Sequence, residues 1–188
     1  MVIYLNDEII LKNNKVRIFR PCEIRKIVGA IPKNNYKDKF EALLYTGARF
    51  AEIKRLHSHP RWFKGEYIVM PSFKPKAKQK ERYIRLNSPG QRSVQYFLRD
   101  SFGLPTSVTW YENMKRWCEM SGLDTMGVCI KSLRKTWESW LVTKYPKQLE
   151  HVFLSQGHSG MVALKYYLML PFTDQDKSDM GYYTDGWI

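Results

Sequence analysis

The hydrophobic period of this chain switches once and then switches back. That pattern limits the fold more than any other feature. From Pro21 to about Leu56 apolar residues recur at helical spacing, in short stretches cut by Gly and Pro. Pro21 opens a helix carrying Ile24, Ile27 and Val28, which stops at Gly29–Pro32. A second helix, about 36–46, places Phe40, Leu43 and Leu44 on one face and ends at Gly47, and a third covers about 49–57. Alternation then takes over. Trp62-Phe63, Tyr67 to Met70 and Tyr83 to Leu86 read as three short strands, the first two joined by the turn Lys64-Gly65-Glu66. Helical spacing returns at Ser88-Pro89, with helices expected at about 88–99, 106–121, 132–144, 146–156 and 160–169. The pattern is mainly α with a small antiparallel β-sheet inserted after the third helix, an α+β arrangement rather than alternating βαβ units.

At 188 residues the chain is one domain's worth, and no Pro/Ser/Gly-rich linker divides it. Residues 1–19 alternate weakly around Lys12-Asn13-Asn14-Lys15 and read as an N-terminal extension or linker ending in a hairpin. Residues 20–170 form the domain, and 171–188 are a C-terminal tail, aromatic and without a clear period. Apolar runs such as Tyr166–Leu170 are far too short to span a bilayer, and MVIYLNDEII lacks the cations and cleavage site of a signal peptide. A soluble, cytoplasmic protein with no membrane partner is expected. The three cysteines, Cys22, Cys118 and Cys129, include no CxxC pair, and no carboxylate or Cys near His57-Ser58-His59 completes a metal site. Walker and Rossmann fingerprints are absent, so neither a metal nor another cofactor is expected.

Charge narrows the partner. Lys plus Arg number 31 against 18 Asp plus Glu, a net +13 with a pI near 9.6. Such an excess suits a polyanion, nucleic acid before membrane.

Four segments carry candidate chemistry: Thr46-Gly47-Ala48-Arg49-Phe50-Ala51-Glu52; the basic stretch Lys74 to Arg85; Lys131-Ser132-Leu133-Arg134; and Gly157-His158 with Tyr167 nine residues after His158. Each alone has an ordinary structural explanation. Arg49 and Glu52 could be an i, i+3 pair, Gly157 a helix cap, and Tyr166-Tyr167 core packing. In this order and spacing, the segments resemble the tyrosine recombinase (integrase) family over about residues 20–170. FRPCEIRKIVGAIP and FEALLYTGARFAEIKRL look like the opening of that family's catalytic domain, KERYIRL like its third strand, and LSQGHSGMVALKYYL like its nucleophile region.

The resemblance implies the tyrosine recombinase catalytic-domain fold. It also implies a site-specific recombinase that cleaves and rejoins DNA through a 3′-phosphotyrosyl intermediate. Arg49 and Arg134 would grip the non-bridging phosphate oxygens, which suits planar guanidinium forks that stay charged. Tyr167 would be the nucleophile, its spacing from His158 favouring it over Tyr166, and His158 would donate to the phosphate or buttress Tyr167. A hairpin Lys would protonate the leaving 5′-oxygen. Counting back from KERYIRL places that Lys near Ala77, and Lys78 is assigned over Lys76. Lys74, Lys76, Lys80, Arg82, Arg85 and Lys135 are assigned to DNA binding. Lys131 stands where most members have His, a pattern resembling some archaeal virus integrases.

The partners so implied are double-stranded DNA attachment sites and three further copies of the chain, a homotetramer assembled on DNA from a monomer or weak oligomer when free. A mobile element or virus acting in a prokaryotic cell is the implied setting. The tail 171–188, with Tyr182, Tyr183 and Trp187, would be exchanged between protomers or fold back in cis. Two other readings fit the same residues: a non-catalytic DNA-binding remnant of an integrase, and a type IB topoisomerase-like strand transferase.

Overall fold

A computed structural model describes residues 10–13, 15–32, 35–71, 81–157 and 170–188. In chain order the elements are β1 (Lys12–Asn13), β2 (Val16–Arg17), α1 (Pro21–Ala30), α2 (Tyr36–Thr46), α3 (Phe50–Ser58), a 3₁₀ turn (Pro60–Trp62), β3 (Tyr67–Pro71) and β4 (Glu81–Arg85). They continue with α4 (Ser88–Arg99), α5 (Ser107–Met120), α6 (Ser132–Lys144), α7 (Leu149–Gln156) and α8 (Asp174–Thr184). The described residues thus hold eight α-helices and two separate two-stranded antiparallel sheets, β1–β2 and β3–β4. The mainly helical α+β class expected from the period switch is the one observed.

The fold is organised around α6. Its residues are buried almost all round, including Leu133, Trp137, Trp140, Leu141 and Val142, as a helix enclosed by neighbours must be. It packs against α2, α7, α8 and β2. Trp137 meets Tyr45 of α2 edge-on at 5.5 Å, and Trp140 meets Tyr183 of α8 at 5.0 Å. A second aromatic group joins Tyr36 and Phe40 of α2 to Trp110 and Trp117 of α5. Such edge-to-face pairs add about 0.5–1.5 kcal/mol each beyond their buried area.

Several expectations change. Residues 60–62 are a 3₁₀ turn rather than a first strand, and Phe63 makes a single bridge to Ile68. Pro60 has no backbone donor to give a ladder, which suits it to the first position of a turn. Helix α7 starts at Leu149, not Pro146, and the expected helix at 160–169 lies outside the described residues. The described residues before α1 pack into the domain. Leu11, Ile18 and Phe19 are core residues, the Phe19 N–H donates to Thr136 Oγ1, and the Phe19 carbonyl accepts from Trp140 Nε1.

The tail is helical and folds onto its own chain. Arg20 pairs with Asp176, and Arg25 with Asp179 at 2.5 Å. Asn87 Nδ2 donates to the Tyr183 carbonyl, Tyr145 Oη to that of Thr184, and Trp187 Nε1 to that of Arg85. Trp187 is 2% exposed and Tyr183 is buried, whereas Tyr182 is 79% exposed.

Candidate active site

The turn between α2 and α3 is where the site begins. Gly47 ends α2 with φ of +55°, a left-handed conformation that side chains disfavour. Space forbids a side chain as well: a Cβ there would sit 2.5 Å from Gln156 Oε1 and 2.6 Å from Trp137 Cδ1. This close approach lets the Gly47 carbonyl accept a 2.6 Å hydrogen bond from Arg134 Nη1. Arg134 Nη2 donates to the Gln156 carbonyl at 2.5 Å, and Gln156 Nε2 donates to the Thr46 carbonyl at 3.4 Å. Arg134, only 8% exposed, thereby ties α6 to the start of the TGAR turn and to the end of α7.

Two residues beyond Gly47, Arg49 caps α3. Its N–H donates to Glu52 Oε2 at 2.7 Å, and its Nη1 donates to Glu52 Oε1 at 2.8 Å. The Arg49 side chain remains 52% exposed, so its guanidinium is steadied on one flank and open to solvent on the other. The i, i+3 pair anticipated from sequence therefore exists, and it orients the exposed cation.

Glu52 also accepts from Arg82 Nη2 at 2.5 Å. Burial opposes its ionisation, but Arg82 and Arg49 outweigh that and hold the carboxyl below its ordinary range. For Arg82 the balance runs the other way. Burial, then the like charges of Arg134 and Arg49, bring its pKa down to about 10 against the pull of Glu52. Arg82 still carries its charge at neutral pH.

Arg82 was expected on the DNA-facing side of the hairpin. It is instead 7% exposed and points inward, with Nη1 donating to the Ser155 carbonyl at 2.8 Å. The signal was present in strand parity. Arg82 and Ile84 share the inner face of β4, while Glu81, Tyr83 and Arg85 alternate outward. Arg85 remains exposed, as a phosphate contact requires.

On α6, Lys131 is exposed one turn before Arg134. Lys135, expected as a DNA contact, is partly buried. Its Nζ lies 3.7 Å from the fully buried Glu138, and burial, with Arg134 and Lys131 nearby, lowers its pKa despite that carboxylate. Glu138, Gln156 and Ser155 were not singled out from sequence, because nothing local marks a polar residue that is buried by a distant partner. Lys74, Lys76, Lys78, Lys80, His158, Tyr166 and Tyr167 lie outside the described residues. His57 and His59 are engaged with the Asp100 and Arg55 carbonyls, and among the described residues no three His, Cys, Asp or Glu gather as a metal site. No helix of the described residues is long and apolar enough to cross a membrane.

No protein-family model and no curated protein sequence matches the chain. Solved structures do. The chain is similar to the XerA recombinase at 13% identity and TM-score 0.66, over 93% of this chain and 67% of that one. It is similar to the Tn1549 transposon integrase, solved in complex with circular intermediate DNA, at 15% identity and TM-score 0.66, over 91% and 68%. The XerH site-specific recombinase, in a post-cleavage complex with its difH substrate, matches at 15% identity and TM-score 0.58, over 93% of this chain and 54% of that one. Its solved neighbours being recombinases and an integrase of one architecture, this chain has the tyrosine recombinase catalytic-domain fold.

Proposed function

We propose that the chain is the catalytic domain of a tyrosine-type site-specific recombinase, acting on double-stranded DNA. The observation that carries this reading is the bond from Arg134 to the Gly47 turn, which ties the second arginine of the motif to the turn that presents the first. Two arginines joined in this way suit a phosphodiester in the transition state, where charge builds on the non-bridging oxygens. The neighbours solved with DNA support a DNA partner.

In the proposed reaction the Tyr167 hydroxyl attacks phosphorus. A P–O bond to tyrosine forms, the P–O5′ bond breaks, and the tyrosine proton passes to water. Lys78 gives a proton to the departing 5′-oxygen, and Arg49, Arg134, Lys131 and His158 hold the phosphate. The product is a 3′-phosphotyrosyl protein and a free 5′-hydroxyl. The reverse attack, by a 5′-hydroxyl from another duplex, reseals the strand without an external energy source. Lys74, Lys76, Lys80 and Arg85 neutralise flanking phosphates, and four copies assemble on paired attachment sites.

The test is a suicide duplex nicked just 3′ of the scissile phosphate, drawn from a random-site library and resolved on denaturing gels. Wild type and Tyr166→Phe form a covalent adduct, and Tyr167→Phe does not. DNA retarded at low salt with no adduct from any variant refutes the catalytic reading in favour of a binding remnant. Relaxation of supercoiled plasmid lacking paired sites refutes it in favour of a topoisomerase.

A further inference from the structure

The geometry points to Arg82 as a positioning residue that, with Glu52, sets the segment leading to His158 against the start of α3; this rests on the recombinase reading. The Arg82 guanidinium bridges two elements. One arm holds Glu52 at 2.5 Å, and Glu52 in turn holds Arg49. The other arm holds the Ser155 carbonyl at 2.8 Å, at the end of α7. Strand β4 grips the same residue again, because the Arg85 N–H donates to Ser155 Oγ at 3.2 Å.

The side chain's aliphatic arm completes the contact. Gly157 ends α7 with φ of +69°, and a Cβ there would come within 2.9 Å of Arg82 Cδ. The strand that leaves the basic hairpin is therefore packed directly under the residue before His158. Arg134 holds the same stretch from the other side, through the Gln156 carbonyl. Residues 155–157 are thus clasped by two buried arginines, one from β4 and one from α6.

Charge fits this role better than DNA contact. Three arginines share the site with Glu52, and Arg82 is the buried one in direct contact with that carboxylate. Both terminal nitrogens of Arg82 are already taken, one by the Glu52 carboxylate that matches its charge and one by the Ser155 carbonyl. Lysine cannot replace Arg82, because a single ammonium is a point donor and cannot span Glu52 and Ser155 as a planar fork does.

The test compares wild type with Arg82→Met, Arg82→Lys, Glu52→Gln and the double variant Arg82→Met/Glu52→Gln. Single-turnover cleavage of the nicked duplex is followed at saturating DNA, and DNA affinity is followed against salt. A positioning role predicts an unchanged salt slope, a cleavage rate at least about 30-fold lower for Arg82→Met, and little recovery with Lys. The double variant should be no slower than the slower single one, since both changes break the same link. A salt slope smaller by about one, with a saturated rate within about twofold of wild type, would make Arg82 a phosphate ligand and overturn the proposal. If Arg82→Met does not fold, the double variant, which removes both charges of the Arg82–Glu52 pair together, carries the same comparison. Cleavage by it at the wild-type rate also overturns the proposal. If wild type itself forms no adduct, the recombinase reading fails. The Arg82–Glu52 link is then judged by additivity in urea unfolding, where fully additive effects count against it.

Discussion

One carboxylate makes a cluster of three arginines compatible with a folded interior. Glu52 touches Arg49 and Arg82 directly, and Arg134 lies close enough to help lower the pKa of Arg82. This gives stability a pH dependence of known sign. The folded-state pKa of Glu52 is depressed below the ordinary 4.5. Its ionised form therefore stabilises the fold above about pH 4.5, and that contribution is lost as pH falls through the depressed value. Glu52→Gln should cost about 2–4 kcal/mol at pH 7, because two arginines lose their counter-ion and Arg82 is buried. The acid limb of its stability profile should also be shallower than that of wild type. Urea unfolding midpoints between pH 7 and pH 3 measure both. Parallel acid limbs for the two proteins would show that Glu52 is not the group that titrates.

At the scale of elements, α8 shows how far local sequence can be read. Its buried positions, Asp176, Met180, Tyr183 and Thr184, follow helical spacing and continue to Trp187. The first is a carboxylate, so the stripe does not look apolar. What makes it buriable is Arg20, which comes from far earlier in the chain. Helices α1, α2, α4 and α5 are legible because their stripes are apolar and their ends carry local punctuation: Pro21, Gly47, Ser88-Pro89, and Gly122 beyond α5. Arg82 was misjudged because a run of cations suggests a solvated face, although its parity with Ile84 places it inside. Arg49 and Arg134 stand out in the sequence by motif, whereas Gln156 and Glu138 have no motif and owe their burial to packing. The start of α8 did have a local signal. Thr173 Oγ1 accepts from the Asp176 N–H at 3.1 Å, and Asp176 Oδ2 accepts from the Thr173 N–H at 2.9 Å, a reciprocal cap. Thr173→Ala should therefore cost about 1 kcal/mol of global stability, with Thr173→Ser close to wild type. A loss below about 0.3 kcal/mol in chemical denaturation would mean that α8 is held by its distant ion pairs alone.

At the scale of the whole molecule, the tail closes the domain. Residues 170–188 cover α1 and α6 and fill the space beside Tyr45, Trp140 and Tyr145 with Met180, Tyr183 and Trp187. Fully burying an aromatic or Met side chain contributes about 1.5–3 kcal/mol, and three of them form a large part of a typical domain's net stability. The anchors reach four separate places: Arg20 before α1, Arg25 within it, Asn87 at the start of α4 and Tyr145 after α6. A tail held so widely in cis predicts a free chain that needs no partner to complete its core. Its Tm should not depend on protein concentration, because no partner's tail is needed to complete the core. Ending the chain at Leu170 should remove cooperative unfolding or lower Tm by more than about 10 °C, since the loss amounts to several kcal/mol and domains of this size shift by about 2–4 °C per kcal/mol. Thermal melts over a hundredfold range of concentration, with sedimentation at the same concentrations, decide between the two arrangements. A Tm that rises with concentration alongside a dimer or larger species would show that the core is completed by a neighbour's tail. A constant Tm with a monomer at every concentration would mean that any exchange on DNA must first break the Arg20–Asp176 and Arg25–Asp179 pairs.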